Sequence, residues 1–149
     1  MAYDLRVTDV CAKSALNNLF GTSNALVGTQ ANSGILRIYV GAQTAGSPVA
    51  PAGALLAELT MNATSFGAAA PATTYVTITA GAITSDSSAN ASGDAGCFVM
   101  WDSAGTTALM SGNVATSGAD MTIDNITIAA GATVSCSALT VSLPKGWSS

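Results

Sequence analysis

The segment "GILRIYVG" (34–41) sends its side chains alternately to two faces. Leu36, Ile38 and Val40 fall on one, and Ile35, Arg37 and Tyr39 on the other. A period of two over a short Gly-bounded run is the signature of a strand, because successive side chains of an extended chain point opposite ways. The pattern recurs. "LLAELTM" follows a loop with Pro48 and Pro51, and "TTYVTITAGAIT" sets Tyr75, Thr77 and Thr79 against Val76, Ile78 and Ala80. "GCFVMWD" is apolar on both faces, as a strand in the middle of a sheet is, and "SAG" makes a tight turn into "TTALMSG". The chain therefore has to be mainly β.

The last third continues in strands but changes phase. "MTIDNITIA" places Met121 and Ile123 in one phase and Ile126 and Ile128 in the other, while "ATVSCSALTVSLP" shifts from Val134 and Cys136 to Leu139, Val141 and Leu143. A one-residue slip is what a bulge produces, and bulges let a sheet curl. Pro144 stops the last strand. Seven or so short, Thr-rich strands with Gly and Ser turns predict an antiparallel β-sandwich, of which a jelly roll is one wiring. No fixed repeat is present, which excludes a solenoid or propeller. "FGAAAPA" reads as a loop, since Gly67 and Pro71 bracket it.

One stretch has the helical period instead. In "TDVCAKSALNNLFG", Ala12, Ala15, Leu16, Leu19 and Phe20 make a single apolar stripe, with Thr8 or Asp9 as the cap and Gly21 as the stop. The expected organisation is an arm over 1–8, a single sandwich domain over 9–144 with a short helix at about 9–20, and a tail over 145–149. At 149 residues such a domain can bury a core without disulfides or metals.

Charge narrows the function. Charged residues make up only 8% of the chain, against about 25% in ordinary domains. The basic residues Arg6, Lys13, Arg37 and Lys145 are scattered, so no basic face is available for nucleic acid. No apolar run approaches a membrane span, and the N-terminus "MAYDLRVTDV" carries charges where a signal peptide needs an apolar stretch. Secretion by that route is not expected. Cys11, Cys97 and Cys136 form no close pair, which favours free, buried thiols in a reducing compartment.

Reactive chemistry finds little support. The chain has no histidine, so a Ser or Cys nucleophile lacks its usual base, and neither Lys13 nor Lys145 stands in a Ser-x-x-Lys arrangement. Glu58, the sole glutamate, reads as an outward strand residue. Asp86, Ser88 and Asn90 mimic the start of a calcium loop that ends near Asp94. Ala91 and Cys97 stand where that loop needs Gly and a bidentate Glu, so a polar strand connection is the better reading. The triplets at Asn62, Asn90 and Asn125 follow from a chain rich in Ser and Thr. No cofactor, metal or catalytic residue is expected, and the chain reads as a non-enzyme. A surface of Ala, Ser, Thr and backbone polar groups sheds water at little cost, which suits close packing against copies or neighbours.

The succession "GILRIYVGAQ", "LLAELTM", "SFGAAAP" and "AITSDSSANASGDAGCFVMWDSAGTTALMSGNVATSGADMTIDNITIAAGATVSCSALTVSLP" resembles a family of small virion proteins of tailed phages. Through it the chain is similar to the capsid cement (decoration) proteins of short-tailed phages, over roughly residues 8–144. The resemblance implies a jelly-roll fold and a homo-oligomer, dimer or trimer, on the outside of the capsid. There it would bridge subunits of the major capsid protein after synthesis in the bacterial host cytoplasm. The resemblance transfers no interface residue; the aperiodic ends, the arm with Tyr3, Leu5 and Arg6 and the tail with Trp147, are the expected contact elements. The alternative is a tail or fibre module that binds a host-surface glycan, for which Trp101 and Tyr75 would have to share an exposed face.

Overall fold

The computed structural model describes residues 8–20, 33–43, 51–136 and 138–144. Among these the chain forms one helix and ten strands, and no helix is long and apolar enough to cross a membrane.

The helix, α1 (Asp9–Phe20), starts where Thr8 can cap it. The Thr8 carbonyl accepts from the Ala12 N–H at 2.9 Å and its Oγ1 from the Cys11 N–H at 3.4 Å. Ala12, Leu16 and Phe20, four residues apart, form the buried stripe. The stop at Gly21 and the side chain of Leu19 lie outside the described residues. The Phe20 ring leans on Phe66 with centroids 4.9 Å apart, and Asn17 Oδ1 accepts from the Ala69 N–H at 2.9 Å.

The larger sheet is built from β1 (Ile35–Val40), β2 (Leu55–Met61), β5 (Ile83–Thr84), β6 (Gly93–Trp101), β7 (Ala108–Ala115) and β8 (Met121–Thr122). Their order is β5-β2-β1-β6-β7-β8, and β9 (Thr127–Ile128) pairs with the start of β6. The smaller sheet runs β10 (Thr140–Pro144), β4 (Tyr75–Thr79), β3 (Ala70–Pro71). Pro71 lies on the edge strand β3, where its missing N–H is tolerated. α1 packs against this smaller sheet, chiefly on β4.

One apolar core joins all three parts. Leu36 and Ile38 of β1, Leu59 of β2, Phe98 and Met100 of β6, Val76 and Ile78 of β4 and the α1 stripe belong to a single cluster. The register explains the larger sheet's share: Leu36 sits opposite Leu59 and Met100, and Ile38 opposite Phe98. A second, smaller layer lies on the opposite face of β1 and β6, where Tyr39, Cys97 and Val99 are buried beside Leu55 and Trp101. The strand "GCFVMW" is therefore apolar on both faces because both faces are covered.

The expected alternation and the identity of β6 as a central strand match the structure. Two expectations do not. The sheet is mixed, since β8 runs parallel to β7, so the fold is not wholly antiparallel. The bulges also stand elsewhere. Register shifts leave Leu56 of β2, Gly96 of β6 and Leu109 of β7 as the extra residues. The phase change after Ile123 is instead a change of partner: β8 pairs with β7, the chain bends at 124–126, and β9 pairs with β6. Hydrophobic phase reports which face a residue occupies, and both arrangements bury the same residues. The second phase change falls at residue 137, outside the described residues.

Gly96 is required by close approach. A Cβ built on it would lie 2.3 Å from the Gly41 carbonyl oxygen, so the chain leaving β1 can rest on the bulge only if residue 96 has no side chain.

Candidate functional surfaces

Four aspartates, Asp86, Asp94, Asp102 and Asp120, are held in structural hydrogen bonds. Asp102 organises the turn between β6 and β7: its Oδ1 accepts from the N–H groups of Thr106 (2.8 Å) and Thr107 (3.1 Å). Gly105 closes the turn at φ +68°, donating to the Asp102 carbonyl at 3.0 Å. Those backbone donors hold the Asp102 carboxyl below its ordinary range.

Asp86 stands in the connection between β5 and β6, and Asp94 at the start of β6. Asp86 accepts from the Ser88 N–H and the Glu58 N–H, each at 2.9 Å, and Asp94 accepts from the Thr127 hydroxyl at 2.8 Å. Asp86 also exchanges backbone hydrogen bonds with Val134, so the loop is zipped to the segment before β10. It is a strand connection. Among the described residues no group of three or more His, Cys, Asp or Glu is placed to hold a metal ion.

Glu58 points outward, as its strand position implied, and accepts from Arg37 Nε at 2.7 Å. The Arg37 guanidinium lies 5.3 Å from the Trp101 ring centroid and donates to the Gly105 carbonyl at 3.2 Å. The pair thus sits over the second apolar layer and ties β1, β2 and the β6–β7 turn together. Cys97 and Cys136 are buried and free, with burial pushing both thiols up. Cys11 corrects the expectation of three buried thiols: it is exposed on the polar side of α1.

Trp101 and Tyr75 do not share a face. Trp101 is half-buried on the larger sheet beneath Arg37, whereas Tyr75 is exposed on β4 of the smaller one. The proposed contact residues Tyr3, Leu5, Arg6 and Trp147 lie outside the described residues.

The open surface that sequence reasoning passed over belongs to the smaller sheet. Val76 and Ile78 turn into the core, so Tyr75, Thr77 and Thr79 face the other way. Register places Thr140 beside Thr79, Ser142 beside Thr77 and Pro144 beside Tyr75, extending that face across β10. The Thr79 and Thr140 hydroxyls meet at 3.2 Å. None of the three strands of this sheet contains a charged residue. The alternation in "TTYVTIT" and "LTVSLP" carried the signal; their pairing is what the sequence alone does not show.

Comparison of the chain with known protein families, curated proteins and solved structures finds no match.

Proposed function

We propose that this protein is a structural virion component, a cement or decoration protein that binds the outside of a phage capsid. As such it bridges subunits of the major capsid protein and associates with copies of itself. On this reading the two sheets form a jelly-roll-like sandwich whose job is contact. The carrying observation is the uncharged outer face of the smaller sheet, formed by Tyr75, Thr77, Thr79, Thr140 and Ser142. Such a face is buried against a neighbour without desolvating a charge, which is the costly step in association. High copy number on a symmetric shell then sums small contacts into stability. The engaged carboxylates fit the same role, because Asp86, Asp94 and Asp102 each fix a turn or strand connection.

Quantitative gel densitometry of purified particles tests the reading. A shell protein is present at on the order of hundreds of copies per particle. A few dozen copies, or absence from particles, overturns it.

A further inference from the structure

Between β7 and β10 the structure leaves a gap one strand wide. β8 fills its inner end: Met121 pairs with Val114 of β7 on one side and bridges Leu139, just ahead of β10, on the other. Neighbouring strands stand about 4.8 Å apart, so β7 and β10 are about two spacings apart there. β8 contributes only Met121–Thr122. Beyond it the gap continues as an open groove of about 360 Å³ whose apolar lining is Phe98, Met110, Leu139 and Val141.

Both walls present strand edges. The Leu139 carbonyl accepts from the Ala80 N–H, so the residues bonded to β4 are Leu139, Val141 and Leu143. The alternate residues, Thr140 and Ser142, turn their N–H and C=O groups toward the groove. On β7 the Asn113 N–H is taken by the Asp120 carboxylate, and the Ala115 carbonyl accepts from the Ile123 N–H. The backbone of Ser111, two residues earlier, faces the same way. The Met121–Leu139 bridge engages Thr140, and among the described residues no strand pairs with the groove-facing groups of Ser111 and Ser142.

We propose that this groove seats the N-terminal arm of a second copy of the chain, laid in as an added strand. The inference rests on the self-associating role proposed above. Seven residues precede Thr8, enough to span about 23 Å when extended. Tyr3, Leu5 and Val7 alternate with Asp4 and Arg6, so one side of the arm meets the apolar lining while the other stays in water. Asp120, exposed at the groove's rim, complements Arg6. The exchange is reciprocal: two copies fill each other's grooves and cover edges that would otherwise recruit strands indiscriminately.

The test uses the full chain, a chain lacking residues 2–7, and a synthetic peptide of residues 1–8. Light scattering is expected to show the full chain as a dimer or higher oligomer and the shortened chain as a monomer. The peptide binds the shortened chain and slows hydrogen exchange at the Ser111 and Ser142 amides. Ser142→Pro, which removes one groove-facing donor and no bond to β4, weakens peptide binding about tenfold. Exchange protection reads the same contact without any variant. A monomeric full chain with those amides already protected means that the arm folds back on its own groove, and overturns the proposal. Peptide binding that leaves both amides unprotected, or no binding, also overturns it. Absence of the protein from particles sinks the capsid reading alone, because arm exchange is measured on the isolated protein.

Discussion

β6 and β4 are the middle strands of their sheets and treat their two faces differently. β6 buries both: Phe98 and Met100 enter the main core, while Cys97 and Val99 enter the second layer. β4 buries Val76 and Ile78 and leaves Tyr75 and Thr79 in solvent. The charged groups follow the same division. Arg37 and Glu58 pair over the larger sheet, and the strands of the smaller one carry no charge. One sheet thus spends its polar chemistry internally, and the other leaves an uncharged face open to solvent.

The largest effect is expected on the scaffold side. Phe98 is 2% exposed and contacts the main core from the central strand. Phe98→Ala should destabilise the protein by about 3–5 kcal/mol in urea unfolding, because the site keeps a cavity it cannot fully collapse. A cost below about 1 kcal/mol would mean that β6 is not the centre of the structure.

Gly96→Ala probes the bulge beside it. The added methyl meets the Gly41 backbone, which no side-chain rotation relieves. About 1–3 kcal/mol is expected, the range for forced overpacking. The same change at Gly41, where a Cβ meets nothing within 4 Å, instead reports only the strain of its φ of +85°. Comparing the two variants separates close approach from backbone strain.

These two positions also mark what the sequence reveals. The unbroken apolar run around Phe98 identified a central strand because burial on both faces leaves a local trace. The Gly96 bulge left none: a glycine between Ala95 and Cys97 reads the same in a turn, a bulge or a loop, and only Gly41, distant in sequence, makes it necessary. The parallel pairing of β8 with β7 was hidden for a similar reason. Met121 is buried whichever neighbour it pairs with, so its hydrophobicity carries no direction. The open face of the smaller sheet was half visible, since each strand shows its polar side but not its partner. The arm and tail residues were singled out because the chain ends show no sustained period, and they lie outside the described residues.

A smaller effect concerns pH. Backbone donors from Thr106 and Thr107 hold the folded Asp102 carboxyl below its unfolded value. Its stabilising contribution is therefore complete above the unfolded pKa and is lost as pH falls through the lowered folded one. Chemical-shift titration should show Asp102 titrating below the usual carboxylate range. Asp102→Asn should flatten that part of the acid stability profile without changing the fold. An ordinary titration would mean that the turn's hydrogen bonds do not persist in solution.

The smallest effect on stability, and the sharpest on the contrast between the sheets, is expected at Tyr75. The side chain is 44% exposed, so Tyr75→Lys should change unfolding free energy by no more than about 0.5 kcal/mol. If the smaller sheet meets a capsid subunit, that contact must now desolvate an ammonium with no partner on its own strands. Occupancy on particles, measured by densitometry, should then fall several-fold while the isolated protein melts as before. Thr60→Lys provides the reference, because that exposed position lies on β2 of the larger sheet. Its particle occupancy should stay near that of the unmodified chain. Equal occupancy for all three proteins would remove the smaller sheet as the contact face, and with it the reason to read its missing charges as anything but composition.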